Sequence, residues 1–182
     1  GWRRPGRGGG RVLLAFAVPA RAIEFASTVT FNGSAGASDV AEAAAVGLDG
    51  SLFVAGSAAE TSGGVNLWVA RLSPALALLS SATFSGSGGG TDGAKDAAVD
   101  SSGNVFVSGF MNEASGSDNL WLAKFSPSMV LLSSATRDFG SFDRLDAIAS
   151  DGAAVYAAGA VTVGGGVDAW VGRFGADLAL VS

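Results

Sequence analysis

Asn66-Leu67-Trp68-Val69-Ala70-Arg71-Leu72-Ser73-Pro74 is written again as Asn119-Leu120-Trp121-Leu122-Ala123-Lys124-Phe125-Ser126-Pro127, and more loosely as Asp168-Ala169-Trp170-Val171-Gly172-Arg173-Phe174. The copies lie about 50 residues apart, a period that signals one supersecondary unit stacked on copies of itself. The same punctuation surrounds each copy. A small apolar segment comes first (Ala43-Ala44-Ala45-Val46, Asp96-Ala97-Ala98-Val99, Asp146-Ala147-Ile148-Ala149), then a turn (Leu48-Asp49-Gly50, Asp100-Ser101-Ser102-Gly103, Asp151-Gly152). A β-rich run ending in glycine follows: Leu52-Phe53-Val54-Ala55-Gly56, Val105-Phe106-Val107-Ser108-Gly109 and Val155-Tyr156-Ala157-Ala158-Gly159. A polar loop leads into the Trp segment. Ser73-Pro74 and Ser126-Pro127 then break the chain before a fourth run, Leu76 to Phe84 and Met129 to Thr136.

Runs of this length between Gly, Ser and Pro are strand-length, and Asp-Gly or Ser-Gly-Asn between β-branched and aromatic residues marks a hairpin. No window sustains a helical period. In Leu52-Phe53-Val54-Ala55 neighbours on both faces are apolar, so each sheet must be covered on both sides. The sequence therefore predicts an all-β, β-propeller-type repeat of about three four-stranded antiparallel blades, a partial or open propeller. The units span about 39–84, 92–136 and 143–182 within a domain over 23–182. Phe25-Ala26-Ser27-Thr28-Val29-Thr30-Phe31 aligns on Leu78 to Phe84 and reads as a lone fourth strand at 25–31. Three blades are fewer than the four to eight of closed rings, which leaves a fragment of a longer propeller or self-association that completes one as the two outcomes.

Asp-Ala-Ala-Val-Asp-Ser-Ser-Gly-Asn-Val-Phe-Val-Ser-Gly (96–109), with Asn-Leu-Trp-Leu-Ala-Lys-Phe-Ser-Pro (119–127), resembles the bacterial β-propeller repeat, or SBBP repeat. The resemblance covers nearly all of 25–182 and is strongest in the middle unit. The third unit departs from it, with Gly152-Ala153-Ala154 and Gly175-Ala176-Asp177 at the two turns. The resemblance implies a secreted or surface-associated module of bacteria or archaea. It carries no catalytic residue set.

Composition narrows the chemistry. The chain of 182 residues has neither Cys nor His, which removes disulfides, thiol nucleophiles and imidazole bases or ligands. With 48% hydrophobic and 15% charged residues it is too apolar for a disordered chain. Arg3, Arg4, Arg7, Arg11 and Arg21 stand at the front and all sixteen acids come later, so the body repels phosphate backbones and excludes nucleic acid as a partner. The basic head, the apolar run Val12 to Val18 and Ala20-Arg21-Ala22 have the order of a secretory signal peptide over 1–22. A disordered leader is the other reading. The run is too short to span a bilayer, which leaves no transmembrane segment and a secreted or cell-surface location as the expectation.

Few residues stand out as chemistry. Trp68, Trp121 and Trp170 recur within an apolar strand and read as packing anchors between blades, with a sugar platform as the other reading. Arg71, Lys124 and Arg173 recur beyond them and read as cations that snorkel or pair with loop carboxylates. Asp39 and Asp92, with Asp143 as a looser match, precede the first strand of each unit. They are the candidate metal ligands, for Ca²⁺ if any, set against a turn-forming role. The loops 57–65, 110–118 and 160–167 vary most between units. Glu60, Phe110, Met111 and Glu113 are the candidate contacts there for a protein or glycan partner. No catalytic set and no cofactor follow from the sequence. The expected role is interaction or scaffolding rather than catalysis, with a carbohydrate- or Ca²⁺-binding lectin-like propeller next and a glycosidase or lyase last.

Overall fold

The computed structural model describes residues 27–61 and 64–181. Every regular element among them is a β-strand. The leader reading over 1–22 and the first two residues of the expected lone strand fall outside this range.

Twelve strands form three sheets of four. The first blade holds β1 (Val40–Val46), β2 (Leu52–Ala59), β3 (Val65–Leu72) and β4 (Leu78–Phe84). The second holds β5 (Gly93–Val99), β6 (Val105–Asn112), β7 (Asp118–Phe125) and β8 (Leu131–Arg137), and the third β9 (Arg144–Ser150), β10 (Val155–Val163), β11 (Gly166–Phe174) and β12 (Leu180–Val181). In each blade the strands lie in chain order, every neighbour antiparallel. The Trp segments are the third strands. The three sheets are open, and they stack with β5 between β1 and β9.

Both faces of the middle blade are buried because its side chains alternate between two neighbours. Val105, Val107, Trp121, Ala123 and Phe125 pack on Phe53, Ala55, Leu67 and Val69 of the first blade. Phe106, Leu120 and Leu122 point the other way, onto Leu145, Ile148, Val155, Ala157 and Phe174 of the third. Each Val, Leu, Ile or Phe among them is worth about 1.5–3 kcal/mol when fully buried. Every blade thus has a leading face, which carries the Trp, and a trailing face, which in the first two blades receives the next one. In each blade the Trp meets an aromatic ring from the segment before it: Phe84 with Trp121 at 5.7 Å and Phe139 with Trp170 at 6.1 Å at the two seams, and Phe31 with Trp68 at 5.3 Å on the outer face of the first blade. Residues 27–31 form no strand, yet Phe31 does for the first blade what Phe84 does for the second.

Glycine does not end the second strand as the sequence reading had it. β2, β6 and β10 continue through Gly56, Gly109 and Gly159 to Ala59, Asn112 and Val163. The first strand bulges opposite each glycine, with Glu42, Lys95 and Asp146 as the extra residues. A Cβ on these glycines would lie only 1.9–2.0 Å from the carbonyl oxygen of Val40, Gly93 or Arg144. The glycine is required by close approach of backbone at a bulge. Asp146 therefore matches Lys95, and not Asp96 as the aligned segments implied.

Candidate functional site

The recurring aspartates before each first strand are loop ties. Asp39 accepts the N–H of Ala59 and of Gly33, both at 2.8 Å. Asp92 accepts from Asn112 at 2.7 Å and Gly86 at 3.0 Å. Asp143 accepts from Thr162 at 2.8 Å and from Phe139 at 2.6 Å. Each carboxylate thus joins the incoming linker to the end of the second strand. Asp92 and Asp143 are fully buried. Burial pushes the Asp92 carboxyl above its ordinary value, and the N–H donors of Asn112 and Gly86 pull it back. Both oxygens of all three face backbone donors, and no group of three acidic side chains converges on a shared point among the described residues.

The hairpin aspartates have a second role. Asp49 accepts from the backbone and hydroxyl of Ser51 and pairs with Arg71 at 2.5 Å. These contacts, the Ser51 hydroxyl foremost, hold its carboxyl down at about 2. Asp100 accepts from the backbone of Ser102 and from the backbone and side chain of Asn104. Asp151 is lowered by the N–H groups of Ala154 and Ala153 and by the Tyr156 hydroxyl. Arg71 also lies 6.0 Å over the Phe53 ring, while Lys124 lies 5.3 Å over Phe106 and donates to the Ala176 carbonyl of the third blade. Arg71 and Lys124 are thus pinned to their own surroundings, while Arg173 is exposed.

The loop candidates are likewise engaged. Glu113 accepts from the hydroxyl and N–H of Ser87, and that hydroxyl accepts the Ala114 N–H. Glu60, Ser34 and Thr61 repeat this latch one unit earlier. The third unit has Gly140 and Val163 at those places and ties Thr162 to Phe142 instead. Met111 belongs to the core at the first seam and offers no exposed surface. It sits on the part of β6 that continues past Gly109, and strand alternation sends it inward. Phe110 is half-buried beneath Lys95, which pairs with Glu42 of the first blade at 2.8 Å. The Ser–Glu latch escaped the sequence reading. Its signal was the repeated Gly33-Ser34 and Gly86-Ser87.

A cleft of about 630 Å³ lies on the leading face of the first blade. Phe31, Ser34, Asp39, Glu60, Trp68 and Thr83 are among the residues that line it. Trp68 is half-buried, whereas Trp121 in the middle blade is covered by the blade before it. The sequence matches no protein-family model and no curated protein.

Proposed function

We propose that this chain is a β-propeller-type repeat module of a secreted or cell-surface protein, working in interaction or scaffolding rather than catalysis. The observation that carries this reading is the fate of the polar side chains that repeat. Asp39, Asp92 and Asp143 tie linkers, and Asp49, Asp100 and Asp151 close hairpins. Hydrolysis of a glycoside needs two carboxyl groups about 5–10 Å apart in one cleft. Spent on backbone donors, once per unit, these carboxylates serve the scaffold. The resemblance to the bacterial β-propeller repeat supports export, and the acidic body disfavours nucleic acid.

A carbohydrate-binding reading has one observation in its favour, the cleft beside Trp68 with its hydroxyl and carboxylate lining. A glycan array probed with and without Ca²⁺, followed by a turnover assay on any captured glycan, separates the three. Silence is expected. Capture supports the lectin and turnover the enzyme, and either result overturns the scaffold. For the export signal, sequencing the N-terminus of the exported protein is expected to start after Ala22. A mature form that still carries Arg3 overturns that part.

A further inference from the structure

Position 96 breaks the repeat. The residue after each first-strand bulge stands opposite a residue of the second strand. In the outer blades both are alanine, Ala43 opposite Ala55 and Ala147 opposite Ala158; in the middle blade they are Asp96 and Ser108. Opposed residues share a face of the sheet, so both polar side chains turn into the seam that Phe106, Leu122, Leu145 and Ile148 fill. An acid set there costs heavily unless it is paired.

Asp96 is paired, and across the seam. Its Oδ2 accepts the N–H of Ile148 in β9 at 2.8 Å, and its Oδ1 that of Ala97 in β5 at 2.8 Å. The two amides hold the same place in their units, each two residues past the bulge residue. β9 ends its sheet with β10 alone beside it, so an N–H on its free side finds no acceptor within the sheet. Asp96 supplies one from the neighbouring blade. The residue before it serves the other seam: Lys95 reaches back to Glu42 of β1 at 2.8 Å. That pair is partly exposed, and salt screens it. A hydrogen bond to an ionised carboxylate in a part-buried place is stronger.

We propose that Asp96 is a coupling device: its carboxylate clasps the first strands of the second and third blades, so that β9 opens with β5 and not by itself. In a stack of similar units each blade touches its neighbours alone and is free to open alone. The clasp makes one opening unit of two blades. At the first seam Ala43 has no acceptor to offer, and the ion pair of Lys95 with Glu42 takes the place of the clasp. The coupling is therefore tighter at the second seam than at the first.

Amide exchange of the full chain, followed residue by residue by NMR, tests this. In the unsubstituted chain the amides of β9, Ile148 included, are expected to exchange in step with those of β5. Asp96→Ala is expected to speed Ile148 roughly tenfold and to let β9 exchange ahead of β5. Asp96→Asn keeps the size but has one acceptor oxygen in place of two, and is expected to release either Ala97 or Ile148. Ser108→Ala, across the ladder from Asp96, controls for packing and is expected not to speed Ile148. Each variant is checked for its β-sheet circular dichroism. An unchanged Ile148 rate in Asp96→Ala overturns the proposal, as does a release by Ser108→Ala equal to that by Asp96→Ala. Should Asp96→Ala fail to fold, Asp96→Asn decides, and both amides still protected in it overturns the clasp.

Discussion

Ser108 shows how one side chain can be out of place in a repeat. It is fully buried on the trailing face of the middle blade, where the other units carry Ala55 and Ala158, and its hydroxyl has no partner among the described residues. A buried hydroxyl left unpaired costs about 1–3 kcal/mol. Ser108→Ala is expected to raise stability by about 1 kcal/mol in urea titration; a loss of stability would show that the hydroxyl is satisfied. Asp49 gives a pH signature. Its carboxyl is held at about 2, below the ordinary 3.8, so its contribution is present above 3.8 and is lost as pH falls through about 2. Asp49→Asn is therefore expected to narrow the stability difference between pH 5 and pH 2, as read from urea midpoints at both pH values. An unchanged difference would assign the acid sensitivity to other carboxylates. The sequence showed Asp49 as a turn residue because Asp-Gly is a local signal. It could not show that Asp92 is buried, because Asn112 reaches it only through the pairing of β5 with β6.

The hairpin between third and fourth strands has a feature that local reading missed. Leu76, Met129 and Leu178 all adopt positive φ, between 61° and 67°, at a turn position that usually takes Gly. Each follows a tight turn, closed by the N–H of Leu76 on Ser73, of Met129 on Ser126 and of Leu178 on Gly175. The left-handed conformation costs about 1–2 kcal/mol for an ordinary side chain. Packing offsets it where the side chain is buried: Leu178 lies in the second seam, whereas Leu76 is half-exposed. Leu76→Gly is thus expected to stabilise by up to about 1 kcal/mol and Leu178→Gly to destabilise by about 2 kcal/mol. Thermal unfolding of the pair checks the sign at each site. Ser73-Pro74 announced the turn, but apolar residues after it looked like the start of a strand. In the same way the glycines of β2, β6 and β10 looked like stops. A bulge is visible only when the neighbouring strand is in place, so strand identity was legible and strand length was not.

Across the molecule, cover falls off from the middle. The second blade is sandwiched on both faces; the outer blades are each sandwiched on one. Trp121 is 3% exposed, and the exposed large apolar residues gather in the outer blades and along the outer strands. Local opening follows buried apolar contact, so amide exchange is expected to be slowest in β6 and β7 and fastest in β12. Uniform protection over all three blades would contradict this gradient. The stack of similar units was legible from the period alone, since recurrence needs no knowledge of contacts. What the loops hold was not, because Glu60, Glu113 and Met111 are engaged by residues from other strands and linkers.

In every blade the bulge glycine stands directly across the ladder from the Trp: Gly56 from Trp68, Gly109 from Trp121, Gly159 from Trp170. One residue guards the approach of the first strand and its partner guards the seam to the previous blade. A side chain at the glycine would strike the backbone of the first strand. Glycine and Trp thus divide one rung of the ladder between two demands, a close first strand and a filled seam. The third unit differs from the others in its turns, yet it keeps this rung and with it the means to stack.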